Sequence, residues 1–107
     1  MRKPLALLAV AATAAAAAVP AYAATRTVKV RDNSFGPSSL SAKKGDTIRF
    51  RWTGDNPHNV RAYKGPRKFN SGKPKRSGSY SKRFTVKGTY KILCDVHPGM
   101  RMTLRVR

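Results

Sequence analysis

Three residues near the end of the chain, Cys94, His97 and Met100, follow a Cys-x-x-His-x-x-Met spacing, and a second histidine, His58, lies well upstream. A thiolate and two imidazoles in a trigonal arrangement, with a thioether as weak axial ligand, form a blue-copper electron-transfer centre. The chain has one cysteine and two histidines, and all three belong to this set. The residues therefore indicate one mononuclear copper site.

Each of these residues also has an ordinary structural interpretation. Cys94 alone could be a small buried apolar residue, His58 a surface histidine in a turn, and Met100 a filler of the core. Their joint occurrence favours metal binding, and the thioether disfavours zinc, which prefers four firm nitrogen, sulfur or oxygen ligands. The sequence presents no carboxylate pair, no nucleophile with a base and no oxyanion hole, so we expect no enzymatic activity.

Alternating polar and apolar residues predict the strands that position these ligands. Half-buried β-strands alternate with period two, and Gly, Pro, Asn, Asp and Ser bound them. The pattern predicts strands at residues 27–31, 47–52, 58–62, 79–86, 89–94 and 102–107, with no helix after residue 23. This favours an all-β, antiparallel sandwich or barrel. Cys94 then ends a strand, and the Asp95 to Gly99 turn brings His97 and Met100 back toward it.

The N-terminus predicts export. Arg2 and Lys3 precede an apolar, alanine-rich run that ends in a small-residue signature, which is typical of a secretory signal peptide. We expect cleavage after Ala23, giving a signal peptide of residues 1–23 and one domain of residues 24–107, located in a periplasm or outside the cell. The competing interpretation, a transmembrane anchor, is disfavoured because the apolar run is shorter than about 20 residues.

The charge is extremely basic. The chain has 23 Lys and Arg residues against 4 acidic ones, a formal net charge of +19. Such a field attracts acidic protein faces, polyanions or anionic membrane surfaces. Residues 64–81, the basic segment, are rich in Lys, Arg, Gly, Pro and Ser and predict a long loop.

The chain resembles the cupredoxins, small blue copper proteins of the plastocyanin and amicyanin type. The resemblance rests on four stretches: Phe35-Gly36-Pro37 through Trp52, His58-Asn59-Val60, Phe69-Asn70-Ser71-Gly72, and Gly88-Thr89-Tyr90 through Met100. It implies a Greek-key β-sandwich of about seven to eight strands, which is a cupredoxin-like copper-binding domain.

The resemblance also implies the roles of individual residues. His58, Cys94 and His97 would ligate one copper ion with Met100 as axial ligand, and Asn59 would tie the two ligand loops together by hydrogen bonds. Met102 is the less favoured axial candidate, because Met102, Leu104 and Val106 alternate as inward-facing strand residues. Asp95 departs from the family pattern and could either lower the reduction potential or face solvent.

These features predict a one-electron carrier that cycles between Cu(I) and Cu(II). We expect a monomer that docks an acidic or anionic redox protein near His97, with attraction to an anionic membrane surface as a further possibility and no specific nucleic acid partner. Two alternatives stay open at this point. One is a copper storage or delivery protein without redox turnover, and the other is a polyanion-binding module built on residues 64–83 with Arg49, Arg51 and Arg61.

Overall fold

A computed structural model describes residues 23–107 of the chain. Within this range the chain forms eight β-strands and no helix, so no helix there is long and apolar enough to cross a membrane. The strands are β1 (Thr25–Arg31), β2 (Ser34–Gly36), β3 (Ser39–Ala42), β4 (Thr47–Trp52), β5 (Arg61–Lys64), β6 (Ser79–Arg83), β7 (Gly88–Leu93) and β8 (Arg101–Val106). The predicted all-β fold of seven to eight strands is confirmed. The predicted signal peptide lies outside the described residues except for Ala23.

The strands form because their apolar residues alternate and can all face one core. In β4, Ile48, Phe50 and Trp52 are buried, whereas the intervening arginines are exposed. Period-two alternation places one set of side chains on each face of a strand. The same alternation buries these residues of β1, β7 and β8: Val28, Val30, Tyr90, Ile92, Met102, Leu104 and Val106.

The strands are arranged in two sheets of four, which pack face to face as a sandwich. One sheet has the order β2-β1-β4-β6 and the other has the order β3-β8-β7-β5. Side chains from the inner faces of both sheets form one continuous apolar core. The two sheets therefore enclose a core that neither could bury alone.

Two strand pairs differ from the predicted antiparallel arrangement. β1 pairs with β4, and β3 pairs with β8, in parallel. Parallel neighbours need a crossover connection rather than a hairpin. The chain between β1 and β4 supplies one, because it passes through β3 in the opposite sheet. As a result β1 and β4 end at the same edge, and the turns that follow them are neighbours.

The predicted strand at residues 58–62 is wrong in its position. The strand there is β5, and it begins only at Arg61. The backbone of His58 instead pairs with Lys75 of the basic segment as an isolated bridge. The short strands β2 and β3 were not predicted, because three or four residues are too few to show a clear alternation.

The basic segment connects the edge strands β5 and β6 and closes one side of the sandwich. Phe69 points from it into the core, where its ring centroid lies 6.3 Å from that of Phe50 and 5.6 Å from that of Phe84. The backbone of the segment is also held, since the Ser71 amide donates to the Val60 carbonyl at 2.8 Å. This loop is therefore a packed wall of the domain.

Candidate metal centre

The structure brings Cys94, His58 and His97 together at one end of the sandwich. Sγ of Cys94 lies 3.8 Å from Nδ1 of His58 and 3.8 Å from Nδ1 of His97. The two imidazole centroids are 4.8 Å apart. Cys94 and His58 are fully buried, whereas His97 is half-buried. The cluster is therefore open to solvent only on the side of His97.

The donor separations fit a shared metal ion. Bonds from such an ion to nitrogen and sulfur are about 2.0–2.3 Å long, as in zinc sites. Two such bonds, meeting at an obtuse angle, span the 3.8 Å between sulfur and each nitrogen. One thiolate and two imidazoles are the trigonal donors of a blue-copper centre. The residues present therefore fit a copper ion.

The loop after β7 is held closed by its own backbone. The Met100 amide donates to the His97 carbonyl at 2.8 Å, and the Cys94 amide donates to the Met100 carbonyl at 3.1 Å. Pro98 disfavours a helical conformation at His97. These bonds place Met100 beside the cysteine, with 2% of its surface exposed.

The two methionines occupy different kinds of position. Met100 lies in the loop before β8, beside the ligands. Met102 lies within β8, opposite Ile92 in the register with β7, and is 3% exposed. Its position is that of a core residue of the sheet, as its alternation with Leu104 and Val106 indicated.

Asn59 joins the two loops that carry the histidines. Its side-chain amide donates to Oδ2 of Asp95 at 2.8 Å, and its side-chain oxygen accepts from the Asp95 backbone amide at 2.7 Å. Because Asn59 follows His58 and Asp95 follows Cys94, this reciprocal pair holds these two candidate ligands in register. We call it the Asn59–Asp95 clamp.

The Asp95 carboxylate is also paired with Arg61, whose guanidinium lies 2.8 Å from Oδ1. Donation by the Asn59 amide, and then by Arg61, holds the pKa of Asp95 below its usual value. The carboxylate is thus ionised and partly neutralised. Sequence reasoning left open whether Asp95 would act on the potential or face solvent, and the structure gives it a clamp partner and a counter-charge.

His58 is anchored through its backbone. Its amide donates to the Lys75 carbonyl at 2.9 Å, and its carbonyl accepts from the Trp52 indole at 2.8 Å. The Lys75 ammonium lies 4.6 Å from the centroid of the Trp52 ring, within the range of a cation–π contact. The end of β4 and the basic segment therefore hold this ligand jointly.

Sequence reasoning missed Asp32. Its Oδ1 lies 2.9 Å from Nε2 of His58, the ring nitrogen that faces away from Cys94. No local signal links the two residues, because their proximity follows from the parallel pairing of β1 with β4. Asp32 lies in the turn after β1, where Asn33 has a φ of 65°, which asparagine tolerates.

The comparisons identify the family. Residues 23–107 match the model of the copper binding proteins, plastocyanin/azurin family. The chain belongs to this family. Pseudoazurin from Paracoccus pantotrophus is 38% identical over 104 residues, which cover 90% of this chain and 71% of that protein. The predicted resemblance to the cupredoxins is confirmed.

Solved structures agree with this assignment. An oxidised amicyanin variant has a TM-score of 0.68 at 29% identity, with 85% of this chain and 88% of that chain covered. A copper-containing nitrite reductase from Thermus scotoductus SA-01 has a TM-score of 0.68 at 27% identity. That match covers 78% of this cupredoxin but only 22% of the reductase. The likeness to the enzyme is therefore confined to a small part of it.

Family membership and the His, Cys, His and Met donor set together give the function. This cupredoxin is a mononuclear blue copper protein that carries one electron at a time. Electron transfer is thereby favoured over the alternatives of copper storage and polyanion binding.

The Asn59–Asp95 clamp yields a prediction. In Asn59→Ala, the backbone amide and the carboxylate of Asp95 each lose a hydrogen bond. A net contribution of about 0.5–1.5 kcal/mol for each bond gives a loss of about 1–3 kcal/mol. We expect the free energy of unfolding of the copper-free protein to fall by that amount in urea titrations. Asn56→Ala, at an exposed position in the preceding turn, should change it by less than about 0.5 kcal/mol. Equal losses in both variants would refute a stabilising role of the clamp.

Proposed function

We propose that His58 Nδ1, Cys94 Sγ and His97 Nδ1 bind the copper ion of this electron carrier and that the Met100 thioether is its weak axial ligand. Support comes from the ligand atoms of the two histidines and the cysteine, which all lie within 4.8 Å of one another. The closed loop after β7 adds support for Met100, because it holds that residue beside Cys94 and His97.

Copper bound at this site supplies the one-electron couple between Cu(II) and Cu(I). The chain contributes a set of donors whose positions are fixed by strand ends and hydrogen bonds. Cys94 and His97 are tied through the backbone of Met100, and His58 is tied to Cys94 through the clamp. Because this frame is rigid, we expect the two oxidation states to share nearly the same protein geometry, which keeps electron transfer fast.

A copper titration tests the assignment. The mature protein should develop the intense visible absorption of a thiolate–copper bond on addition of one equivalent of Cu(II), and Cys94→Ser should abolish it. Met100→Leu should retain colour but shift the spectrum and raise the potential, because the axial ligand tunes the centre. Met102→Leu is the matched control and should leave both unchanged. The reverse pattern in the two methionine variants would assign Met102 as the axial ligand.

We further propose that this monomeric protein catalyses no reaction and passes electrons through His97 to an acidic partner. His97 is the exposed edge of the cluster, and Val96 beside it has 46% of its surface exposed. Arg101 borders this surface, since its guanidinium donates to the Pro98 carbonyl at 2.8 Å. An exposed apolar residue bordered by a positive charge suits a partner with an acidic face, and an anionic membrane would attract the same charge.

Ionic strength tests this docking surface. Oxidation of the reduced protein by hexacyanoferrate(III), a small anionic oxidant, should slow when the Debye length falls from about 30 Å at 0.01 M salt to about 3 Å at 1 M. Arg101→Ala should slow it at low salt. Lys87→Ala should have little effect, because β7 separates Lys87 from Cys94 by about 20 Å. Rates that do not depend on salt, or equal effects of both variants, would contradict steering toward His97.

We also propose export with cleavage after Ala23, into a periplasm or outside the cell. The backbone nitrogen of Ala24 lies 2.9 Å from Oδ1 of Asp46, a carboxylate with 0% exposure. The Lys43 amide donates to its Oδ2 at 2.9 Å, and Arg26 lies 3.5 Å away. The Ala24 and Lys43 donors hold the pKa of Asp46 below its usual value. After cleavage the Ala24 nitrogen would be an α-ammonium, and the hydrogen bond would become an ion pair.

The ion pair gives a pH dependence with a definite sign. The ionised Asp46 would raise the pKa of the Ala24 amino group in the folded state above its unfolded value of about 7.7–8.0. The stabilisation by this ion pair is complete below the unfolded pKa of the amino group and is lost as the pH rises through its folded pKa. In urea unfolding of the copper-free mature protein, residues 24–107, the free energy of unfolding should therefore fall between about pH 7 and pH 9. This fall should be smaller in Asp46→Asn. An unchanged pH dependence of stability in Asp46→Asn would contradict this proposal. So would an exported protein whose measured mass shows that its first residue is not Ala24.

A further inference from the structure

The carboxylate of Asp32 contacts the buried histidine of the copper site from behind. Asp32 is the first residue after β1, and its Oδ1 lies 2.9 Å from Nε2 of His58. The His58 side chain has 0% exposure, and its other nitrogen, Nδ1, faces Cys94 at 3.8 Å. The imidazole thus lies between a carboxylate and the metal-binding sulfur.

The fold holds this carboxylate firmly. The backbone amides of Asp55 and Asn56 both donate to it at 2.9 Å. These two amides belong to the turn after β4, which lies beside Asp32 because Val30 and Trp52 are paired in the parallel register. The turn can approach because residue 54 is glycine, where a Cβ atom would clash with the Asp32 carboxylate.

The contacts of the Asp32 carboxylate determine which ring nitrogen of His58 bears the hydrogen. Both carboxylate oxygens of Asp32 accept from backbone amides of the turn after β4, and Oδ1 also lies 2.9 Å from Nε2 of His58. An ionised carboxylate can only accept hydrogen bonds. Nε2 of His58 therefore carries the hydrogen, and Nδ1 presents its lone pair toward Cys94.

We propose that Asp32 is a positioning residue that fixes the tautomer and orientation of His58 and lowers the reduction potential of the copper site. This inference rests on copper binding by His58. Carboxylates that accept from the distal nitrogen of a metal-binding histidine orient the ring and make it a stronger ligand. A stronger donor with a negative charge behind it stabilises Cu(II) more than Cu(I). Reduction adds one electron and moves no proton, because Nε2–H stays bonded to Asp32 in both states.

Asp32→Asn separates the charge from the shape of the side chain. An asparagine oxygen can still accept from His58 and from the turn, but the negative charge is gone. We expect the reduction potential, measured by redox titration of the visible band, to rise. Cu(II) affinity should fall about 10–100-fold, the usual effect of losing such a partner. The visible band itself should remain, since every copper ligand is still present.

Asp55→Asn is the matched control. Asp55 is an exposed aspartate in the turn after β4, whose amides donate to Asp32. Within residues 23–107 its side chain makes no hydrogen bond to His58. The Asp55→Asn variant removes the same charge but leaves the contact between Asp32 and His58 in place. We therefore expect a clearly smaller shift of the reduction potential than in Asp32→Asn. Equal shifts in the two variants, or no shift in Asp32→Asn while its band persists, would overturn the proposal. A wild-type protein that forms no visible band would instead refute the copper assignment itself.

A measurement on the unmodified protein keeps the proposal testable if Asp32→Asn does not fold. Nitrogen-15 NMR of the copper-free wild type distinguishes the two tautomers of a neutral histidine. We expect His58 to be protonated at Nε2 and unprotonated at Nδ1. Finding the proton on Nδ1 would overturn the proposal.

Discussion

The copper site depends on holding His58 within 4 Å of Cys94, although 36 residues separate them in the chain. Two independent sets of hydrogen bonds meet this requirement. The Asn59–Asp95 clamp joins the two loops directly, and the Trp52 indole and the Lys75 backbone hold His58 from behind. Because each set connects different strands, the ligand geometry is a property of the whole sandwich.

Three of the four acidic residues are used for internal structure. Asp32 and Asp46 accept hydrogen bonds from backbone amides, whereas the Asp95 carboxylate accepts from the side chains of Asn59 and Arg61. All three have a pKa below the usual value. Each also joins segments that are distant in sequence. Within residues 23–107, most of the basic residues lie on the surface and form no ion pair with a carboxylate. The surface is therefore strongly positive for two reasons. Carboxylates are few, and most of them are engaged in internal contacts.

Much of the fold and most of the candidate site could be predicted from the sequence. The alternation in β4 and β7 predicts their buried faces, and the spacing of Cys94, His97 and Met100 places three donors after one strand. Asn59 could be found only by resemblance to the family. Asp32 could not be found, because its contact with His58 depends on the parallel register of β1 and β4, and a strand's alternation says nothing about which neighbour it pairs with.

The indole of Trp52 gives the molecule a built-in optical reporter. It is the only tryptophan of the chain, and its nitrogen is bonded to the carbonyl of a residue that lines the metal cluster. A Cu(II) ion bound beside His58 would absorb visible light and would accept excitation energy from the nearby indole. Intrinsic fluorescence should therefore dim as the centre is filled, so that occupancy can be followed in unlabelled protein at micromolar concentration.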